Sequence, residues 1–317
     1  MKRKHQFKPV TEFKALDANE TIFFAKELEY LKARTYDILY PELMARRLFP
    51  LDSSADTGAK TITYQTWDHV GMAKLIHNYA EDLPNIEVNA TESTRLIYSS
   101  GVAFGYSLQD IRSAAYAGKP LEQRKANAAR RQMLYLENQL AFNGDATTQI
   151  PPFINNSQTI KVTLPNGATG GSTTWATKTP DEIIKDINAM CSAIRTTTNG
   201  VETPNTLLLP EKQYTQIATT PRSTTSDATI LGFVLSSNPF IREVIPVYNL
   251  AAAATNGTSD VAILYDRNPD KLTLEVPQDV EFLPVQEEGF MFNTPVHART
   301  AGVIIYYPKS IAQADGI

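Results

Sequence analysis

The sequence contains a single cysteine, Cys191, among its 317 residues. One cysteine cannot form an intramolecular disulfide, and it cannot build a cysteine-based zinc site. Long apolar runs are also missing. A membrane-spanning helix needs about 18–20 consecutive apolar residues, and the most apolar late stretch, Val303–Tyr307, is far shorter. The basic N-terminal segment is followed by no apolar run, so a secretory signal peptide is not expected. We therefore predict a soluble protein of the cytoplasm that folds without disulfides.

An excess of charge of one sign is also missing. Thirty basic and 34 acidic side chains leave a net charge of −4, whereas proteins that coat nucleic acid are usually strongly basic. Apolar residues make up 42% of the chain, an ordinary share for a folded protein. Because a chain of this length can bury roughly three quarters of its extended surface, we expect a large core.

Most motifs that mark catalytic sites are absent. The sequence has no phosphate-binding loop, no dinucleotide-binding glycine pattern, no His-Glu-x-x-His motif and no Gly-x-Ser-x-Gly motif. The histidines are too scattered to share one helix face as metal ligands: His5, His69, His77 and His297. We therefore expect no catalytic residue, no metal and no cofactor.

Two further features resemble functional sites but have simpler explanations. The segment Asp266–Asp270 begins like a calcium-binding loop, but Lys271 stands where that loop needs glycine and Pro277 stands where it needs an acid. A turn between two strands is predicted there instead. Cys191 falls on the apolar face of a predicted helix, which is typical of an inert core thiol.

The first hundred residues divide into a basic segment and a β-rich segment. Residues 1–50 are interpreted as an extended basic arm followed by a helix from Asp17 to Tyr40. Alternating segments at Thr61–Trp67 and Ile86–Ala90 then predict a two-stranded excursion over residues 60–105, with a turn at Asp82–Asn85. Since an isolated hairpin is marginal in water, we expect a neighbouring subunit to order it.

The strongest helical signal covers residues 107–142. A first helix is predicted from Ser107 to Ala117, and a second begins after Pro120 and ends at Asn143-Gly144. Apolar residues form one face of the second helix at alternating spacings of three and four: Ala126, Ala129, Met133, Leu136 and Leu140. The other face carries charged residues: Arg124, Lys125, Arg130, Arg131 and Glu137. The basic members either are simply solvated or meet nucleic acid or acids on a neighbouring subunit.

The remaining sequence alternates helices and strands without a regular repeat. Residues 151–178 are loop-like, and Thr179–Glu182 opens a capped helix whose buried face is predicted at Ile183, Ile187, Met190 with Cys191, and Ile194. Further helices are predicted at 210–218 and 228–235, and strands at 207–209, 244–247, 261–265, 272–276, 280–285 and 303–307. This order favours an α+β fold over a doubly wound sheet.

The order of these elements resembles that of the major capsid proteins of tailed bacteriophages, which have the Hong Kong 97-like fold. Four stretches carry the resemblance: Glu137–Asp145, Thr179–Ile187, Pro204–Glu211 and Asp279–Pro308. Together they are similar to a subgroup of phage and prophage capsid proteins.

The resemblance implies an organisation in five segments. These are an N-terminal arm and first helix (1–50), an extended E-loop (51–105), a P-domain with a long spine helix (106–178), an A-domain (179–265), and closing strands of the P- and A-domains (266–317). The E-loop lies over a neighbouring subunit in this family. The expected inter-subunit residues are Ile62, Tyr64, Trp67, Lys74, Ile86, Val88, Arg124, Arg130 and Arg131.

The implied function is structural. Copies of the chain are expected to assemble as hexamers and pentamers into an icosahedral shell that encloses double-stranded DNA without reading its sequence. Expected partners are portal, scaffolding and decoration proteins, with no membrane contact. The expected location is the virion, after assembly in the cytoplasm of the host bacterium. Some family members cross-link a lysine of the E-loop; Lys60 and Lys74 are the lysines near that region, and the sequence names no partner for them.

Three alternatives remain open from the sequence. One keeps the fold and makes the chain an encapsulin-like shell protein of a bacterial nanocompartment. Another is a hydrolase with an unrecognised pair of acids, which requires a pocket holding two carboxylates with displaced pKa values. The third is a different virion component, such as a tail or decoration protein.

Overall fold

The computed structural model describes residues 40–75, 83, 85–117, 121–223 and 228–317. The predicted N-terminal arm and the helix predicted from Asp17 to Tyr40, apart from Tyr40 itself, lie outside these residues. Two positions of the turn predicted at Asp82–Asn85 also lie outside them.

The helices of the described residues are α1 (Ala45–Leu48), α2 (Leu108–Ala117), α3 (Leu121–Asn143), α4 (Pro180–Thr197), α5 (Glu211–Thr219) and α6 (Ile230–Ser237). Short 3-10 helices cover Trp175–Thr177, Tyr248–Leu250 and Pro308–Ser310. The sequence predicted α2 to α6 within two residues at each boundary, whereas the four-residue α1 was not predicted.

The strands are β1 (Leu51–Asp52), β2 (Thr61–Val70), β3 (Glu87–Leu96), β4 (Tyr98–Ser107), β5 (Ile160–Val162), β6 (Thr206–Leu209), β7 (Glu243–Pro246), β8 (Val261–Tyr265), β9 (Leu272–Glu275), β10 (Gln278–Phe282), β11 (Gln286–Glu288), β12 (Met291–Thr300), β13 (Gly302–Ile305) and β14 (Ile311–Asp315). Strands β1, β5, β11, β12 and β14 were not predicted, and β5 lies within residues 151–178, which were predicted to be loop-like.

A five-stranded sheet in the order β5-β14-β8-β6-β7 is the centre of the second half of the chain. Its strand β8 is buried at every position, and its side chains enter two different cores on the two faces of the sheet. Such two-sided burial explains why the sequence of β8 is a continuous apolar run without polar alternation.

Helices α4, α5 and α6 cover one face of this sheet. Helix α4 begins with a capping box, in which Thr179 and Glu182 each satisfy a backbone N–H at the helix start. Its buried face is as predicted: Ile183, Ile187, Met190, Cys191 and Ile194. Asn199 and Gly200 follow the helix with positive φ angles of 50° and 82°, which confirms them as its stop.

The other face of the sheet packs against an aromatic cluster. Phe49 lies 4.7 Å from Phe153 and 5.6 Å from Phe142 between ring centroids, and Phe153 lies 5.6 Å from Tyr265. A small sheet of order β1-β9-β13 closes this core. Gly144, with a φ of 62°, ends α3 here, and a β-carbon at that position would approach Ile150 O to 2.4 Å. The chain therefore requires glycine at this turn.

A second, elongated sheet supports the first half of α3. Strand β4 pairs antiparallel with β12 over ten residues, and β10 and β11 follow each other along the opposite edge of β12. Ala129 and Met133 of α3 pack against Val296 and Ala298 of β12. The last turn of α3 enters the main core, so the helix joins the elongated sheet to that core.

The predicted apolar face of α3 is wrong at its fourth position. Leu136 is 40% exposed, whereas Glu137, predicted on the charged face, is 8% exposed. Glu137 is buried because Arg46 donates two hydrogen bonds to its carboxylate, at 2.6 and 2.7 Å. The contact of Arg46 in α1 with Glu137 therefore shifts the buried side of α3 by one residue from the predicted face. Local residue spacing cannot reveal such a contact.

Strands β2 and β3 pair antiparallel with each other, from Thr61 with Leu96 to Val70 with Glu87, and this pair is here called the hairpin. The sequence assigned residues 60–105 to one excursion, but β4 leaves the hairpin after Ile97 and joins β12 in the elongated sheet. The hairpin is therefore shorter than predicted, because the third β-like segment finds a partner almost 200 residues later.

Candidate assembly surfaces

The residues that the sequence suggested as metal-binding or nucleophilic groups have structural roles. Among the described residues, no group of three or more His, Cys, Asp or Glu side chains could hold a metal ion. Asp270 N donates to Asn268 Oδ1 at 3.0 Å within a turn between β8 and β9, so the calcium-like segment folds as a turn. Burial raises the pKa of the Cys191 thiol, which keeps it protonated and unreactive.

A buried ion pair beside α4 also belongs to the core. Lys178 Nζ lies 2.6 Å from Asp186 Oδ2, and Trp175 Nε1 donates to the same oxygen at 3.0 Å. Burial raises the pKa of Asp186, and the lysine and the indole partly offset this effect. The pair fixes the loop before α4 against the helix.

The hairpin has two faces because side chains alternate along each strand. From the register, one face contains Ile62, Tyr64, Asp68 and Val70 of β2 together with their partners on β3, among them Glu87. We call this the inner face. The other, outer face contains Trp67 with its partner Ala90 and also Val88.

The base of the inner face is attached to the body of the same chain. Ile62 and Tyr64 are partly buried, and the ring of Tyr64 packs against that of Tyr306 with centroids 5.0 Å apart. The segment leading into the hairpin is held by Arg299, whose guanidinium donates to Thr57 O and, at 2.6 Å, to Ala59 O. These contacts fix the base of the hairpin within its own subunit.

The distal half of the hairpin exposes large apolar side chains. Trp67 is 60% exposed, Val88 51% and Ile86, which precedes β3, 73%. Lys74, beyond the end of β2, is also exposed. Contiguous exposed apolar side chains on a soluble protein mark an interaction site. The candidates from the sequence therefore separate: Ile62 and Tyr64 contact their own chain, whereas Trp67, Ile86 and Val88 present an open surface.

The basic residues of α3 are distributed between the interior of the subunit and solvent. Lys125 Nζ donates to Gly105 O at 2.6 Å and so helps to hold α3 on β4. Arg124 and Arg130 are exposed, and Arg131 is partly buried. Arg130 lies close enough to Asp279 to contribute to the lowered pKa of that carboxyl, although the hydrogen bond from Arg46 is the largest cause.

A second exposed apolar surface, not predicted from the sequence, lies at the tip where β10, β11 and β12 turn. Its most exposed member is Phe290, at 79%, and the others are Phe282, Leu283, Val285 and Met291. Backbone bonding joins this tip to α2, since Leu108 N donates to Phe290 O at 2.9 Å. The sequence signal that could have indicated this surface is the segment Glu287-Glu288-Gly289-Phe290, in which a glycine marks a hairpin turn. In the structure, Gly289 has the positive φ that such a turn uses.

Comparison with solved structures identifies the fold. The chain is similar to the capsid of Myoviridae phage XM1, with a TM-score of 0.81 at 13% identity, covering 94% of this chain and 100% of the other. It is also similar to the capsid of a native GTA particle, with a TM-score of 0.64 at 10% identity over 95% and 99% of the two chains. Mycobacterium phage Ogopogo gives a TM-score of 0.60 at 13% identity over 93% and 99%.

Sequence comparison gives the family. No curated protein matches the chain. No described helix is long and apolar enough to cross a membrane. The model of the family described as "Major capsid protein" matches residues 71–317, which include β3 and everything after it. The chain therefore belongs to the major capsid protein family, and it is a structural protein of a capsid shell with the Hong Kong 97-like phage capsid fold.

Proposed function

We propose that this chain is the subunit of an icosahedral phage-type head, in which copies assemble as hexamers and pentamers around double-stranded DNA. The shell is held together by contacts between identical subunits. Subunits that meet head to tail form closed rings when the rotation between them closes. Repeated weak contacts then stabilise the shell far beyond any single contact.

The observation that carries the proposal is the distal half of the hairpin. Trp67, Ile86 and Val88 are more than half exposed in the isolated subunit, while a two-stranded hairpin by itself is marginally stable in water. Burying these side chains against another copy recovers about 25 cal/mol for each Å² of apolar surface removed from water. The hairpin is therefore built to be completed by a neighbour.

The parts of the chain take corresponding roles in this proposal. The hairpin, within residues 51–105, acts as the E-loop that crosses a neighbouring subunit. Helix α3 is the spine helix of a P-domain over 106–178, and residues 179–265 form the A-domain around the ring axes. Residues 266–317 return as closing strands to both domains, and residues 1–50 serve as the N-terminal arm.

Partners and location follow from the same assignment. The shell requires a portal for DNA entry, and scaffolding and decoration proteins are further candidates. The net charge of −4 suits a wall that encloses DNA without binding it tightly. The subunit acts without catalysis, is assembled in the cytoplasm of a host bacterium and ends in the virion. The encapsulin-like alternative is not favoured, because the matching family is that of major capsid proteins.

The test is the assembly state of the purified chain, alone and with its neighbouring head proteins, by sedimentation velocity and negative-stain microscopy. We expect pentamers and hexamers or closed particles in the megadalton range. A chain that stays monomeric at every concentration, with and without those proteins, contradicts the proposal.

Deleting residues 62–90 tests the part played by the hairpin. We expect a subunit with an unchanged core, shown by a cooperative thermal transition, that no longer assembles. Normal shells from this deletion would contradict the E-loop assignment while leaving the shell function itself intact.

A further inference from the structure

A small cleft lies where the base of the hairpin meets the body of its own subunit. Four segments line it: the end of β3 at Arg95, the start of β4 at Tyr98, the loop after α3 at Gln149, and Ala301 between β12 and β13. We call it the basal cleft. Its volume is about 150 Å³, below the roughly 300–1,000 Å³ of pockets for drug-sized ligands. A small ion therefore suits the basal cleft better than a nucleotide or a peptide does.

Arg95 brings a positive charge to the basal cleft that no lining acid balances. The side chain is partly buried, and its Nε is shielded from solvent without a hydrogen-bond partner. Arg95 forms no ion pair or hydrogen bond with another side chain that the structure describes, and no acid is among the lining residues. Arginine stays charged in proteins, and a buried donor without an acceptor is costly. An anion satisfies the donor and balances the charge together.

Two further side chains of the basal cleft supply hydrogen-bond donors. Tyr98 is partly buried, and Gln149 is exposed. Within the described part of the chain, neither the hydroxyl of Tyr98 nor the carboxamide of Gln149 has a hydrogen-bond partner. The guanidinium of Arg95 adds its own N–H groups to these two. Several N–H and O–H donors around one positive charge are the chemistry that recognises an oxyanion.

The loop that contributes Gln149 is held in a fixed shape. Asp145 N donates to Ile150 O, and Ile150 N donates to Asp145 O, both at 3.0 Å. The carboxylate of Asp145 accepts hydrogen bonds from Thr147 N and from both N and Oγ1 of Thr148, so it is engaged within the loop. Gln149 has a φ of 57°, which is uncommon for a residue other than glycine and occurs at ligand-binding positions.

We propose that the basal cleft binds one small oxyanion, of the class of inorganic phosphate or sulfate, through Arg95, Tyr98 and Gln149. A guanidinium binds such an anion through two parallel N–H···O hydrogen bonds. A carboxylate carried by a second copy of the chain has related chemistry, and the experiment distinguishes that source from a free anion. The inference goes beyond the shell function, because binding a free anion requires no second copy.

A bound anion links the hairpin to the body of the subunit. Arg95 pairs with Ile62 at the base of the hairpin, whereas Gln149 belongs to the loop that follows α3. The anion therefore holds the hairpin base in place in addition to the contact between the rings of Tyr64 and Tyr306. We expect phosphate to slow amide hydrogen exchange in β3 and at the start of β4.

The experiment measures phosphate binding by the full-length chain, at concentrations where sedimentation velocity shows unassembled subunits. The phosphorus NMR line width of inorganic phosphate is followed during a titration, and chloride keeps the ionic strength constant so that general screening does not change. We expect saturable binding with a Kd on the order of 1 mM. Arg95→Gln should raise this Kd about tenfold or more and abolish the effect of phosphate on hydrogen exchange.

Matched variants separate the basal cleft from net charge. Arg112→Gln removes one charge from an exposed arginine of α2, and we expect its Kd to equal that of the unaltered chain. Tyr98→Phe removes one hydroxyl and should raise the Kd about threefold. Thermal unfolding shows whether each variant is folded. If Arg95→Gln does not fold, Tyr98→Phe decides, and an unchanged Kd in that variant overturns the proposal.

Each remaining outcome also decides the proposal. Binding that is lost in Arg95→Gln and kept in Arg112→Gln supports it. Equal weakening in both variants shows a net-charge effect and overturns it, as does binding that persists in Arg95→Gln. If unassembled subunits bind no phosphate, the donors meet water only, or, where Arg95→Gln also assembles less well, a carboxylate of a second copy. Both results overturn the free-anion site and leave the proposed shell function standing.

Discussion

The ring of Tyr64 meets the ring of Tyr306 edge-on, with centroids 5.0 Å apart and planes at 89°. Tyr64 belongs to the hairpin, and Tyr306 follows β13 in the body of the subunit. The hydroxyl of Tyr306 lies 2.9 Å from Thr273 Oγ1 and donates to Glu275 Oε1 at 3.2 Å. The hairpin is thus anchored on a ring whose position is fixed by buried polar groups.

Replacing Tyr64 tests this anchor. Tyr64→Ser removes an edge-to-face contact worth about 0.5–1.5 kcal/mol, so we expect faster amide hydrogen exchange in β2 and β3 with little change in the core strands. Tyr64→Phe keeps the ring and serves as the control, with exchange close to that of the unaltered chain. Equal protection of the hairpin in both variants would show that the ring contact does not hold it.

Replacing Trp67 tests the apolar outer face. Because Trp67 is 60% exposed, Trp67→Ser should change the free energy of unfolding of the isolated subunit by less than about 0.5 kcal/mol. The extent of assembly should fall steeply, because each contact between subunits then buries less apolar surface. Thr66→Ser, at the adjacent exposed position, is the control and should assemble normally. Sedimentation velocity measures assembly, and normal shells from Trp67→Ser contradict the prediction.

The link between α1 and α3 gives a prediction about stability. Arg46→Met leaves the buried carboxylate of Glu137 without its two charged hydrogen bonds. We expect the free energy of unfolding to fall by about 2–4 kcal/mol, slightly less than for a fully buried pair, since Arg46 is 32% exposed. Chemical denaturation measures it.

Two further variants serve as controls for the link between α1 and α3. Arg47 lies 3.9 Å from the exposed Glu42, so Arg47→Met should cost less than about 1 kcal/mol. The double variant Arg46→Met/Glu137→Met should recover most of the loss, because no charge is then left buried. A double variant as unstable as Arg46→Met alone contradicts the explanation.

Glu275 makes stability depend on pH. Burial and the nearby Asp52 raise the pKa of Glu275, and hydrogen bonds from Thr273 and Tyr306 partly offset this. The folded protein therefore holds the proton more tightly than the unfolded chain. This contribution to stability is fully present below the ordinary carboxyl pKa of about 4.3 and is lost as the pH rises through the raised value.

The measurement compares unfolding curves of the unaltered chain and Glu275→Gln across that range. Glutamine still accepts a hydrogen bond from Thr273 but carries no charge. We expect the two proteins to differ least at the acidic end, with Glu275→Gln gaining in relative stability as the pH rises, until the difference levels off. A difference that does not vary with pH contradicts the role assigned to Glu275.

Local patterns were sufficient for the elements whose burial is decided by their own sequence. The capped start of α4, its five buried residues and its stop at Asn199-Gly200 were all predicted and confirmed. The continuous apolar strand β8 was predicted at its observed bounds. In each case, spacing and terminal residues carry the information within a single element.

Strand β12 shows why other elements could not be predicted. It contains Pro295, and proline inside a central strand normally removes a ladder hydrogen bond. Along one edge of β12, pairing with β10 ends at Val296 and pairing with β11 begins at Asn293. Pro295 lies in the gap between these two partner strands. The proline is tolerated because the neighbouring ladder is interrupted at that point.

The sequence named the candidate interface residues but did not show which of them are exposed. Trp67, Ile86 and Val88 were chosen from the sequence and are exposed. Tyr64 was chosen with them, yet its ring lies on Tyr306. Alternation along a strand shows which residues share a face, but only the packed structure shows which end of that face is covered by the same chain.

The sequence alone determined an α+β protein with a capped helical layer, a long amphipathic helix and a β-rich segment too poor in core residues to stand by itself. Tertiary structure decided which strands pair across almost 200 residues, which side of α3 is buried and where the hairpin separates from its own subunit. The physical reason is the range of the interactions. Helix caps, turns and periodic burial act between near neighbours in the chain, whereas Arg46 with Glu137 and β4 with β12 meet only when distant segments are brought together.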